Sequence, residues 1–165
     1  MRHLRALTWA AASLFATAIL AAPAAQAADD SVTMVLKSVL VPSSKISSEI
    51  AGTQYGSVLY TGVASWAGDS VQIERLVTFR YTSGSGPASG FLTLIWPDGS
   101  RLALEGSGFV NASPNLSEIF VAFNVFGSTG RWKGYVGIGR QDCTRRGGVE
   151  AKGACTYVVK VHKGG

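Results

Sequence analysis

The chain has 165 residues and a formal charge of +5 at neutral pH. That length makes one domain able to bury a real core. The charge is uneven: from residue 131 onward eight Lys and Arg side chains stand against only Asp142 and Glu150, and the stretch before is net acidic. Such a basic quarter is either a solvated surface or a patch for an anionic partner.

The first 27 residues read as a secretory leader. Arg2, His3 and Arg5 form a basic start, Ala6 to Ala22 an apolar run, and Ala25-Gln26-Ala27 a small-x-small cleavage site. Cleavage there leaves residues 28–165 as a single domain and lowers the formal charge to about +3, since Arg2 and Arg5 depart. No later run is apolar and long enough to span a bilayer as a helix. The mature chain is therefore expected to be exported, to the periplasm or the medium. Export and the lack of any recognition motif argue against nucleic acid as a partner.

The rest of the chain alternates with period 2 rather than 3.6. Val32, Met34 and Leu36 open a first strand. Pro42 and the Ser-rich residues 43–49, followed by residues 51–56, predict a long connection. Strands follow over 57–67 and 70–82. The second of these puts Val71, Ile73, Val77, Phe79 and Tyr81 on one face and Gln72, Glu74, Thr78 and Arg80 mostly on the other. Residues 83–90 read as a loop. The strands at 91–96 and 101–108 meet across Pro97-Asp98-Gly99-Ser100, the clearest hairpin in the chain, because Pro presets φ and Gly accepts a positive φ. Further strands are predicted over 117–126, 131–142 and 154–162. Eight strands on short turns predict an all-β, antiparallel up-and-down barrel, which removes its own sheet edges; a two-sheet sandwich is the alternative.

Cys143 and Cys155 are the only cysteines. In an exported chain an even pair predicts a disulfide. One mature histidine, His162, and no second Cys pair leave a tetrahedral metal site without ligands, and no cofactor motif is present. The glycine-rich stretch FGSTGRWKGYVGIG, residues 126–139, is not a phosphate loop. Lys133 is followed by Gly134-Tyr135 rather than Ser or Thr, and no helix follows. It reads as a turn at 127–130 leading into a strand whose glycines mark bends or close backbone approach. In that strand Trp132, Gly134, Val136 and Ile138 share one face, and Arg131, Lys133 and Tyr135 the other.

This stretch resembles the Gly-Gly-Thr-Gly-x-Phe-x-Gly-Ala-x-Gly hairpin of the allene oxide cyclase and dirigent barrel superfamily. Ser128 stands for the second Gly, Trp132 for the Phe, and Tyr135 where a small residue is usual. The Asp98-Gly99-Ser100 turn is similar to that of bacterial allene-oxide-cyclase-like barrels. The resemblance implies an eight-stranded, calycin-like barrel with an apolar lumen, often assembled as a homotrimer. It further implies either a small hydrophobic or amphipathic ligand or an isomerase or cyclase reaction on an unstable lipid-like substrate. No residue here matches a catalytic residue of the plant members. A lipocalin, the minor alternative, expects Gly-x-Trp near the first strand; Gly130-Arg131-Trp132 has the spacing but lies near the seventh.

Candidate ligand contacts are few. Arg75 shares a face with Ile73, Val77 and Phe79, so it either meets an anionic head group inside the barrel or faces outward beside an oligomer interface. Glu74 would be an acid or base if turned inward, and a plain surface residue otherwise. Asn124, Trp132 and Tyr135 complete the set. Of the many aromatics most are expected to fill the core. A barrel of eight strands is either packed solid or holds one small ligand. In the third reading, a filled barrel acts through its surface, by oligomerising or through the basic loop 143–155.

Overall fold

The structure, a computed structural model, describes residues 30–165. The predicted leader, residues 1–27, lies outside the described residues. The elements are β1 (Val32–Ile50), β2 (Thr53–Trp66), β3 (Asp69–Thr82), β4 (Gly86–Ile95), β5 (Arg101–Ser113), β6 (Leu116–Thr129), a 3₁₀ turn (Gly130–Trp132), β7 (Tyr135–Arg145) and β8 (Gly153–Lys163). Each strand pairs antiparallel with the next, and β1 pairs with β8, so the sheet closes into an up-and-down barrel. Among the described residues no helix is long and apolar enough to cross a membrane.

Period-2 alternation builds this closure. On β3 the odd-numbered side chains Val71, Ile73, Arg75, Phe79 and Tyr81 are buried, and the even-numbered ones between them face out. Leu92 and Leu94 of β4 and Leu102 and Leu104 of β5 are fully buried. Burial of such side chains contributes about 1.5–3 kcal/mol each. Two glycines allow strands to approach where a side chain could not fit. A Cβ on Gly137 would collide with the Lys160 carbonyl of β8, and one on Gly90, whose φ is +136°, with the Leu76 carbonyl of β3.

The barrel has two different ends. One carries the turns at 67–68, 97–100 and 130–134 and is plugged by tryptophan. Trp132 lies 5.0 Å from Trp96 and 5.7 Å from Trp66, centroid to centroid. Arg131 covers Trp96 at 5.4 Å and pairs with Asp69 at 2.5 Å. The other end carries the turns at 51–52, 83–85 and 114–115 and the longer β7–β8 loop, residues 146–152.

Three local expectations are corrected. Residues 43–49 and 53–56 are strand rather than connection, since Ser44–Ile50 pair with Thr53–Leu59 beyond a bulge at Pro42. This ribbon projects past the end of β8, so water reaches both its faces. Strand pairing and one ion pair, Lys45–Glu150, hold it, and no apolar alternation marks it. Strand β4 begins at Gly86, inside the stretch read as loop. Residues 131–134 are not strand: Gly134, with φ at +82°, reverses the chain, and β7 starts at Tyr135. Trp132 therefore drops into the plug while Val136 and Ile138 face outward, and the three do not share a face. Most of the aromatics do fill the core, while Phe91, Phe109, Phe120 and Phe126 stand on the outer surface.

Candidate functional site

The interior beneath the β7–β8 loop is polar. Inward alternation on β7 aligns Gln141, Cys143 and Arg145 on one face, and β8 places Cys155 and Tyr157 beside them. Arg75 enters from β3 and Tyr60 from β2. All of these but Tyr157 line a cavity of about 30 Å³ whose remaining walls include Tyr81, Leu40, Val121 and Ala88. Cys143 and Cys155 face each other across the β7–β8 ladder and form the predicted disulfide, with Cα atoms 4.1 Å apart.

Arg75 is 1 % exposed. Its Nε donates to Gln141 Oε1 at 3.1 Å, and its Nη1 donates to the carbonyls of Leu76 and, at 3.2 Å, Phe91. These carbonyls are reachable because Gly90 lies beside the guanidinium with no side chain. The guanidinium also lies 5.1 Å from the centre of the Phe123 ring, a cation–π contact. The Gln141 amide donates in turn to Cys143 Sγ at 2.8 Å. Arg145, 5 % exposed, donates from Nη1 to the Tyr60 hydroxyl at 3.0 Å, and its Nε is buried without a partner. The Tyr157 hydroxyl is likewise buried and unpartnered.

No Asp or Glu among the described residues is buried, and neither buried arginine makes an ion pair. Burial therefore acts on charges that no carboxylate offsets. Desolvation pulls Arg75 down to about 10, partly opposed by the neighbouring phenols. It pushes Tyr81 up to about 12, raises Tyr60 against the pull of Arg145, and raises Tyr157 furthest. At neutral pH Arg75 is charged and these three phenols are neutral.

The loop forms a lid. Val149 is 3 % exposed and packs with Phe79, Tyr81, Ala88 and Val110. The Tyr60 hydroxyl donates to the Val149 carbonyl at 2.5 Å, and Glu150 pairs with Lys45 of the β1 ribbon at 3.0 Å. The lid thus occupies the gap left where β8 ends and β1 runs on.

The five sequence candidates fall in three places. Arg75 is in the chamber. Glu74 and Asn124 are exposed on the outer wall. Trp132 and half-buried Tyr135 belong to the aromatic plug at the other end, 5.4 Å apart. Arg145, read as part of a basic surface loop, turns into the barrel; Arg146 and Lys152 remain outside. Sequence reasoning passed over Arg145, Gln141 and Tyr60 as chamber groups. The usable signal was the disulfide itself: if Cys143 points inward, period 2 turns Gln141 and Arg145 inward too.

No family model matches the chain, and no curated protein matches it. Among solved structures, it is similar to a conserved protein of unknown function from Rhodopseudomonas palustris, at 11% identity and a TM-score of 0.49, covering 78% of this chain and 97% of that one. The barrel and its chamber stand on this chain's own geometry.

Proposed function

We propose that the protein is an exported barrel that binds a small solute in the chamber beneath the β7–β8 lid. The observation behind this reading is the pair of buried, carboxylate-free arginines lining one cavity. Charges buried without counter-charge weaken a fold, and a barrel needed only as a rigid body would be better served by leucine there. The lid adds support, being held by one hydrogen bond, one exposed ion pair and one inserted valine. The leader-like start and the disulfide favour an oxidising compartment, the periplasm or the medium. The eight-strand barrel is in keeping with a relation to the allene oxide cyclase and dirigent barrels.

A cyclase or isomerase of lipid-like substrates would work by shaping a pocket. The chamber is far smaller than the ~300 Å³ at which ordinary ligand pockets begin, and it holds phenols but no carboxylate base. Binding is therefore the better-supported role. A second reading, self-association as a homotrimer, is favoured by the outward phenylalanines of β4, β5 and β6, of which Phe91 and Phe126 lie 5.8 Å apart; sedimentation velocity tests it.

The chamber reading is tested by native mass spectrometry of gently purified protein, alongside melting temperatures across small acids, amides and alcohols. A millimolar binder at about 10 mM should add ~1.4 kcal/mol, or about 4 °C. A bare chain whose melting temperature no solute moves would end the proposal.

A further inference from the structure

We propose that the chamber is an anion site, built to take a compact carboxylate-type head group between Arg75 and Arg145. The inference rests on the reading of the chamber as a binding site and specifies its ligand class.

Three observations carry it. First, the chamber is cationic. Two guanidinium groups line one cavity, and the nearest acid on the lid, Glu150, is exposed and already paired with Lys45. The groups that do touch the arginines are neutral: two backbone carbonyls and the Gln141 amide oxygen for Arg75, and a phenol for Arg145. Second, donors outnumber acceptors. The Arg145 Nε–H is buried in the chamber wall without an acceptor. A guanidinium has five donors and no acceptor, so only an incoming acceptor can satisfy this group. A carboxylate supplies two oxygens with about four lone-pair sites and suits the planar fork of an arginine. Third, the space is small. About 30 Å³ accommodates a formate-sized group but no alkyl tail. A longer acid needs room at the lid, whose one inserted apolar side chain, Val149, packs on the chamber residues Tyr81 and Ala88. The ligand is thus either a short free acid or the acid head of a small amphiphile whose tail leaves through the lid.

Titration calorimetry distinguishes these sources and tests the class. The probes are sodium formate, acetate and hexanoate, with formamide, acetamide and hexanamide as neutral counterparts, at an ionic strength set by a bulky sulfonate. The acids should bind at least tenfold more tightly than their amides. Arg145→Gln should reduce acid affinity at least tenfold, while Arg145→Lys, which keeps the charge, should retain part of it. Formate and acetate binding best indicates a free acid; hexanoate binding best, together with faster hydrogen exchange in residues 146–152, indicates an amphiphile. If the amides bind as tightly as the acids, the chamber remains a binding site but the anion inference falls. If neither series binds, both fall. Because the acid-to-amide ratio is measured on the unaltered protein, a variant that fails to fold leaves the test intact.

Discussion

Replacing Tyr60 by phenylalanine removes one oxygen that serves two partners. That hydroxyl donates to the Val149 carbonyl at 2.5 Å and accepts from Arg145 Nη1 at 3.0 Å. The ring, 6 % exposed, keeps its packing, so the change isolates the hydrogen bonds. A hydrogen bond to a charged group contributes about 1.5–3 kcal/mol, and a buried carbonyl left dry costs about 1–3 kcal/mol. Their sum is an upper bound, because a loosened lid admits water to both orphaned groups. The expected loss of global stability is about 2 kcal/mol, read from urea midpoints at unchanged slope. The lid, with little else to hold it, should open about 30-fold more often, the same free energy read locally. Hydrogen exchange at Ala151, whose amide donates to the Gly148 carbonyl at 3.0 Å within the loop, reports this opening. A stability change under about 0.5 kcal/mol with unchanged exchange across residues 146–152 would show that Tyr60 is not the latch.

Three other outcomes follow from the same geometry. Replacing Cys143 and Cys155 together by serine opens a loop of sequence separation 12 and should cost about 3 kcal/mol by loop-closure entropy; an unchanged urea midpoint would contradict it. Trp132→Ala should cost about 3–5 kcal/mol and red-shift the emission of the remaining plug, since Trp132 touches Trp66, Trp96 and Tyr135; a loss below 1 kcal/mol would mean the plug collapses to fill the gap. Alkali should destabilise the fold through the buried phenols, whose neutral form the barrel favours. An unfolded phenol ionises near 10 and Tyr81 near 12, so this contribution is whole below pH 10 and is lost as pH rises toward 12. Ultraviolet titration should show tyrosines ionising late, together with unfolding; full ionisation by pH 10.5 in a folded protein would refute their burial.

The barrel was legible because its signal is repeated on every strand. Val71 to Tyr81 and Leu92 to Leu104 alternate as a half-buried sheet must, and short turns such as Pro97–Ser100 leave few topologies. The Ser-rich ribbon was not legible, since a strand wetted on both faces leaves no periodic trace and is specified by its partner. The turn at 130–134 misled because Gly134 reads equally as a strand bend or a reversal, and only the packing of Trp132 within the plug decides. In the candidate site, Arg75 stood out as a charge on an apolar face. Arg145 did not, because it ends a strand among exposed basic residues. The turn of its side chain into the barrel depends on the β7–β8 register that the Cys143–Cys155 bond marks.

The most direct test of the chamber as a ligand site is a crystal structure of the protein in sodium bromide, with data collected at the bromine edge. An anomalous peak between Arg75 and Arg145, within hydrogen-bonding reach of the Arg145 Nε, is the result predicted. Bromide found only on the outer wall, with the chamber holding water or collapsed around its arginines, would contradict the account.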